Sequence, residues 1–395
     1  MVSARPKIPR TVWVLGLVSM FMDISSEIIH ALLPVFMTVT LGLSVATVGL
    51  VDGIAEATAS ITKVFSGYLS DRSGLRKPLI LLGYGLGAAS KPLFAIATGA
   101  LPVLGARFAD RIGKGIRGAP RDALVADVSP PETRGRAFGL RQSLDTVGAF
   151  AGPLIAIGLM LLLAGDMRLV FWIAVIPGLI AVALVLVGVE DRQAPTGEAR
   201  APLRVADLRP LGRAFWVVAL VGVLFSLARI SEAFLVLRAN GEGLPLAWTP
   251  LVLVAMYIVY ALGAYPAGIL SDRLPSRRLL LAGIAALVGS HLVLAFAGGL
   301  AGVFAGVVLW GIHMALTQGT LAKMVADSAP APLMGSAFGL FGVLTGLALL
   351  VGSVAGGLLW DALGAQATFL AAAGFAGASA LAVALTQARL SRTRI

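Results

Sequence analysis

Long apolar stretches alternate with short polar segments along this chain. A stretch of about 20 apolar residues spans the hydrocarbon core of a bilayer as an α-helix. Twelve such helices are predicted, at 11–37, 44–69, 78–99, 101–127, 135–163, 168–188, 214–238, 247–271, 278–298, 300–327, 334–360 and 364–388. The longest polar segment, 189–213, divides them into two six-helix halves, 1–188 and 214–395. The pattern therefore predicts an all-α membrane protein of two six-helix bundles joined by a linker.

Composition supports this interpretation and removes several alternatives. Hydrophobic residues make up 58% of the chain and charged residues 13%, against about 25% charged in soluble domains. The chain has no cysteine, which excludes disulfides and thiolate metal sites.

The net charge of +11 raises the question of nucleic acid. Nearly all Lys and Arg residues outside the predicted helices fall on one side of the membrane, with Arg168 and Arg238 on the other. This asymmetry predicts cytoplasmic termini and linker. It explains the charge without a nucleic-acid partner and suits a bacterial-type inner (plasma) membrane.

The two halves also repeat each other in sequence. Matching segments lie about 200 residues apart: 69–72 with 270–273, 125–127 with 325–327, 137–140 with 337–340, and 26–27 with 231–232. Such matches in register indicate duplication of a six-helix unit. Parallel repeats of this kind build transporters whose substrate site lies between the halves, near the middle of the membrane.

One motif links the chain to a known family. Residues 67–77 read GYLSDRSGLRK, and residues 268–278 repeat the motif as GILSDRLPSRR. Both resemble the loop between helices 2 and 3 of the major facilitator superfamily, and the resemblance extends over essentially the whole chain. It implies that family's fold of twelve transmembrane helices in two pseudo-symmetric bundles. It also implies gating roles, with Asp71 locking the cytoplasmic gate. The implied gating residues are Gly67, Asp71, Arg72, Arg134, Asp272 and Arg273.

Two further segments carry the resemblance. In the fourth predicted helix, Arg107 stands at the family's arginine position, but Asp110 and Arg111 replace the Gln and Gly that follow it. In the fifth, the spacing resembles the family's antiporter signature, although its final glycine pair is missing. The residues of this motif are Gly139, Gly148, Gly152 and Pro153. The resemblance implies export in exchange for protons.

Charged residues inside the predicted helices are candidates for a functional role. Each costs at least about 2.5 kcal/mol to insert into a membrane, so it indicates a function or a partner. Asp23, Glu27 and His30 share one face of the first helix, and the fourth helix carries a basic stripe. Burial disfavours an ionised carboxylate and a nearby arginine favours it, so an acid between these influences can take up and release a proton. The proton-coupling candidates are Asp23, Glu27, Asp110 and Asp145. The substrate-binding candidates are His30, Arg107, Arg111, Lys114, Arg117, Arg229, Glu232 and His313.

The sequence therefore predicts a monomeric secondary transporter that exports a small polar or anionic solute in exchange for protons by alternating access. Alternatives remain open: a multidrug/proton antiporter for lipophilic compounds, a divalent-metal exporter using Asp23, Glu27 and His30, a channel, or a receptor that does not transport. No nucleophile elbow, zinc-protease or phosphate-loop motif is present. We therefore predict neither an enzyme nor a cofactor or resident metal; the partners are the solute, protons and the lipid bilayer.

Overall fold

The computed structural model describes residues 8–190, 211–296, 298–330 and 333–392. Most of the predicted linker, 191–210, lies outside the described residues, as do the side chains of Pro131, of 271–272 and of 386–392. The first half of the chain folds into α1 Arg10–Val35, α2 Val45–Ser73, α3 Arg76–Ala95, α4 Ala100–Val128, α5 Arg134–Leu162, α6 Met167–Ile173 and α7 Val175–Gly188. The second half folds into α8 Arg213–Ala228, α9 Ala233–Gly241, α10 Leu251–Arg273, α11 Ser276–Phe296, α12 Gly299–Ser328, α13 Met334–Leu363 and α14 Ala365–Arg392. The described residues contain no β-strand, and the predicted all-α membrane fold is confirmed.

Two of the predicted helices are each divided into two pieces. The sixth breaks at Ala174 between α6 and α7; Pro177 follows, and it has no N–H to donate to the carbonyl of Ile173. The seventh breaks between α8 and α9, where the Ser231 hydroxyl accepts the Ala233 N–H at 3.1 Å. The side chain therefore supplies a partner that the helix ladder lacks at the break.

Ten helical segments of the described residues are long and apolar enough to cross a membrane, with α6–α7 and α8–α9 each counted as one segment. The other two segments of comparable length are α3 and α4, which carry Lys91 and the basic stripe. These charged residues lower the mean hydropathy of α3 and α4. The two helices pack against each other. A Cβ atom on Gly83 of α3 would lie 2.6 Å from the Gly113 carbonyl of α4, so the two backbones touch.

Contacts between Cα atoms group the chain into two compact units. Unit 1 comprises Met1–Leu33 and Thr58–Ala201, and unit 2 comprises Pro34–Ala57 and Pro202–Ile395. A cluster of buried side chains that includes Leu15, Tyr84 and Val185 forms a core in unit 1. The division cuts through α2, whose first half packs in unit 2 and whose second half packs in unit 1.

Glu242 joins two chain segments of unit 2 on the side opposite the Lys- and Arg-rich loops. Its carboxylate accepts the Gly299 N–H at 2.6 Å and pairs with the Arg238 guanidinium. Arg238 in turn donates from Nε to the Leu294 carbonyl at 3.0 Å. The Gly299 N–H, with the charge of Arg238 beside it, holds the pKa of Glu242 below its usual value.

This lowered pKa predicts an acid-dependent loss of stability. A carboxyl whose pKa is lowered by folding stabilises the folded state above its unfolded pKa, about 4.3 for glutamate, and loses that contribution as the pH falls further. We expect Glu242→Gln to lower the melting temperature in detergent at pH 7, and the difference from the parent protein to shrink at about pH 3. Glu132→Gln, at an exposed glutamate, is the control. A difference that stays constant with pH would contradict the prediction.

Candidate functional site

The acidic residues of α1 lie against the glycines of α5. A Cβ atom on Gly148 would be 3.0 Å from the Cβ of Asp23, and one on Gly152 would be 2.6 Å from the Cβ of Glu27. Only hydrogen at these two positions lets α1 approach so closely. The spacing that resembles an antiporter signature therefore brings α5 directly onto the two acidic residues. Gly139, the first residue of the motif, has no neighbour within 4 Å of such an atom.

Asp23 and Glu27 differ in their partners. Glu27 Oε2 lies 3.4 Å from His30 Nδ1, and both side chains are 15% exposed. Asp23 makes no hydrogen bond or ion pair with any described residue. Its carboxylate is therefore available to a proton or to a hydrogen-bond donor from outside the chain.

This close packing predicts that glycine is required at Gly152. We expect Gly152→Ala to destabilise the protein by about 1–3 kcal/mol, because the added methyl overpacks the contact with Glu27. Gly158→Ala, on the same helix but with nothing within 4 Å of the added atom, is the matched control. Melting temperatures in detergent, measured for both variants, check the prediction. Equal melting temperatures for both variants would show that the α1–α5 contact tolerates a methyl group.

A buried ion pair connects α3 to α4. Lys91 Nζ lies 2.7 Å from Asp110 Oδ1, and the two side chains are 1% and 3% exposed. Lys91 also donates to the Ser26 hydroxyl of α1 at 2.9 Å, and Arg111 Nε lies 3.8 Å from the second oxygen of Asp110. Asp110, predicted as a proton carrier, thus lies beside the cationic groups of Lys91 and Arg111.

The basic stripe of α4 is mostly buried. Arg107, Arg111 and Arg117 are each less than 5% exposed, whereas Lys114 is exposed. The guanidinium of Arg117 lies 4.6 Å from the centre of the Tyr84 ring, a cation–π arrangement. Arg117, in the buried part of the stripe, is therefore in contact with an aromatic ring from α3.

A second charged cluster links α4 to α5. Asp145 pairs with Arg141 at 2.8 Å and lies 3.8 Å from Arg121. Asp122 lies within 3.3 Å of Arg121 and 3.6 Å of Arg141. Arg121 also donates to the Ser19 hydroxyl of α1 at 2.7 Å. The structure thus places Asp145, another predicted proton carrier, in a network of two carboxylates and two guanidinium groups.

The remaining substrate-binding candidates belong to unit 2. Arg229 and Glu232 form an ion pair of 3.6 Å at the break between α8 and α9. His313 of α12 is fully buried, and its ring lies 5.6 Å from Phe225 and 5.5 Å from Trp310. It therefore packs against two aromatic rings.

Asp71, one of the gating candidates of the first repeat, belongs to a charged cluster at the end of α2. Arg76 donates to Asp71 Oδ1 at 2.7 Å and to Asp127 Oδ2 at 3.2 Å. The Asp71 side chain is 60% exposed, and Gly74 follows it with a φ of 66°, which favours glycine. Arg72 donates to the Tyr68 hydroxyl at 3.1 Å.

The other gating candidates make fewer described contacts. A Cβ atom on Gly67 would lie 3.3 Å from that of Ala119. Arg134 and Arg273 are exposed, and the side chain of Asp272 lies outside the described side chains.

Several residues of these clusters are absent from the predicted site. Lys91 and Arg76 each neutralise a predicted acid, and Ser26 and Ser19 contribute hydroxyl groups from α1. A lone lysine in an apolar helix was the available signal for Lys91. The serines carried none, since serine is common in helices of every kind.

The chain is similar in sequence to known membrane transporters. The sequence model described as Major Facilitator Superfamily matches residues 15–343 and 243–393. An uncharacterized MFS-type transporter of Methanocaldococcus jannaschii is 31% identical over 376 residues, 92% of each chain. A protein of Cronobacter sakazakii named multidrug resistance protein MdtH is 27% identical over 332 residues, 82% of this chain and 80% of its own.

Solved structures show the same fold. A POT family transporter crystallised with a thioalcohol-conjugated peptide superposes with a TM-score of 0.82 at 14% identity, over 96% of both chains. At this identity the similarity concerns the fold alone.

Proposed function

The chain belongs to the major facilitator superfamily, and from this premise we propose that it exports a small polar or anionic solute in exchange for protons by alternating access. The protein is a multi-pass membrane transporter and not an enzyme. The proposal adds to this a direction, a coupling ion and a class of solute. Its residues come from the charged clusters of unit 1.

The charge balance of α3 and α4 carries the proposal for the solute. Between Gly83 and Arg117 the two helices hold five cations, Lys91, Arg107, Arg111, Lys114 and Arg117, and one carboxylate, Asp110. Three of these arginines are buried. A cluster of cations at low exposure attracts an anionic group of a solute. Lipophilic cations would meet repulsion on this surface.

Competition at Asp23 would couple the solute to protons. The carboxylate has no hydrogen-bonding partner within the described chain, so it can bind either a proton or a hydroxyl or amino group of the solute. A solute that donates to ionised Asp23 while its anionic group meets the α4 cations would exclude the proton. Solute and proton would then occupy the protein in turn, which is the requirement for antiport. Glu27 and His30, about one and two turns further along α1, would adjust the charge beside it.

A second candidate function is drug export. It is favoured by the similarity to the protein named multidrug resistance protein MdtH, over 82% of this chain. For lipophilic compounds the α4 cations would have a structural role, and Asp23 would still carry the proton. The divalent-metal alternative receives no support, since the described residues contain no cluster of three potential metal ligands.

Proton flux in everted membrane vesicles tests the proposal. A pH-sensitive dye reports the gradient while small hydroxycarboxylates and lipophilic cations are added in turn. We expect hydroxycarboxylates to collapse the gradient in vesicles that contain the protein, but not in vesicles that lack it. A response to lipophilic cations alone would select the drug-export function. A response to neither class would contradict proton antiport.

We further propose the inner (plasma) membrane as the location, cytoplasmic termini and a monomeric state. The Lys and Arg asymmetry of the loops supports the orientation. A single cysteine introduced as Glu132→Cys, at an exposed position in the loop after α4 on the predicted cytoplasmic side, tests it through an impermeant maleimide. Labelling in everted vesicles and protection in intact cells are expected; the reverse pattern would invert the topology.

A further inference from the structure

The first half of α2 packs against α13 with the two backbones in contact. A Cβ atom on Gly357 would lie 2.6 Å from the Cα of Ala46, and one on Gly53 would lie 2.9 Å from the Cα of Leu350. Gly49, between them, abuts the carbonyl of Ser353. We call this contact, of residues 45–53 with residues 350–361, the α2–α13 seam. It joins helices from different sequence repeats inside unit 2.

Asp361 closes one end of the seam. Its Oδ1 accepts the Val45 N–H at 3.0 Å and its Oδ2 accepts the Ala46 N–H at 2.9 Å. These N–H groups begin α2 and have no partner within the helix. The carboxylate therefore satisfies two free donors and places a negative charge at the positive end of a 29-residue helix.

A second polar contact fastens the same half of α2 further along. The Ser231 hydroxyl, at the break between α8 and α9, donates to Asp52 Oδ2 at 2.6 Å. Asp52 is 5% exposed, so this contact is shielded from water. The second half of α2 is held elsewhere: Ser66 donates to the Gly115 carbonyl of α4, in unit 1, at 2.8 Å. One continuous helix is thus anchored at different points in both units.

We propose that Asp361 is a positioning residue for transport, which holds the α2–α13 seam closed at the end of the molecule opposite the Lys- and Arg-rich loops. The inference rests on alternating access as proposed above. Opening that end requires residues 45–53 to leave α13, and the glycines leave no side chains to adjust, so the seam is either formed or broken. The two hydrogen bonds of Asp361, together with that of Asp52, oppose its breaking.

The absence of native cysteine allows a direct test. Ser353 is fully buried in the seam, and Ser353→Cys places a small thiol there. We expect Asp361→Ala to raise the rate of maleimide labelling of this cysteine about fivefold, the ratio that the loss of one helix cap produces. Labelling of purified protein needs neither solute nor proton gradient, so its outcome is independent of the proposed coupling.

The chain provides a matched control in Asp166. Its Oδ1 caps α6 by accepting the N–H groups of Arg168 and Leu169 at 2.9 and 3.1 Å, and all three residues belong to unit 1. Asp166→Ala removes a helix cap of the same kind and is expected to leave labelling at position 353 unchanged. Equal labelling rates in the two aspartate variants would overturn the proposal.

A second cysteine position separates opening of the seam from general unfolding of the protein. Ser90 is 1% exposed inside unit 1, so a cysteine at Ser90 reports unfolding and not the seam. It is expected to stay unlabelled in Asp361→Ala; labelling at both positions would contradict a specific gate role. If Asp361→Ala does not yield folded protein, Asp361→Asn, which retains one acceptor oxygen, is expected to give an intermediate rate at position 353, and a rate equal to the parent's would overturn the proposal.

Discussion

Replacing Asp23 with asparagine is expected to abolish proton exchange while the protein remains folded. Asparagine has the size of aspartate but cannot take up or release a proton. Asp23 makes no hydrogen bond or ion pair with a described residue, so the substitution breaks no such contact. Gradient collapse in everted vesicles should fall to that of vesicles lacking the protein. Asp122→Asn is the control, since Asp145 would still pair with Arg141 at 2.8 Å.

The sign of the proton change on binding makes this prediction sharper. When solute is added to purified protein in weak buffer, antiport requires that protons are released, and Asp23→Asn should release none. An anion that bound only to the α4 cations would instead favour proton uptake, because it would weaken the charges that keep nearby carboxylates ionised. Proton uptake would therefore contradict antiport and indicate symport.

Replacing Lys91 with methionine is expected to destabilise the protein by about 3–5 kcal/mol, the effect of removing one partner of a buried ion pair. The substitution leaves Asp110 as a carboxylate that is 3% exposed, with Arg111 3.8 Å away. Thermal unfolding in detergent provides the measurement. Lys63→Met, at an exposed lysine, should change stability by less than about 0.5 kcal/mol.

A double variant separates the charge effect from simple loss of packing. Replacing both residues, as Lys91→Met with Asp110→Leu, removes the pair together and should recover most of the stability lost in Lys91→Met, because buried ion pairs contribute little net stability compared with apolar residues. A double variant that is less stable than both single variants would show that the pair itself stabilises the contact of α3 with α4.

The helical fold was predictable because insertion into a membrane favours apolar residues at nearly every position of a span. The apolar stretches located all the helices, and the loop motif together with the internal repeat identified the family. The breaks at Ala174 and at 229–232 were missed. A break of a few residues hardly changes the mean hydropathy of a long apolar stretch, so the pattern carries no signal for it.

The candidate site was only partly predictable for a similar reason. Helical periodicity placed Asp23, Glu27 and His30 on one face, since that depends on local geometry alone. It could not reveal that Lys91 neutralises Asp110, or that Gly148 and Gly152 pack on the acidic residues. Those contacts join residues from 19 to 125 positions apart, and their distances depend on how whole helices pack.

The sequence by itself thus determined the class of the protein, its family, its internal repeat and the charged residues that could carry chemistry. Composition and periodicity are properties of each segment alone. Only the tertiary structure decided which charges are partnered and which remain available, as the contrast between Asp110 and Asp23 shows. It also decided that Asp361, an exposed aspartate with no motif around it, meets the start of α2 more than 300 residues earlier in the chain. Pairing is a property of two segments together, and the energy of a charge in a membrane protein is set by its partner.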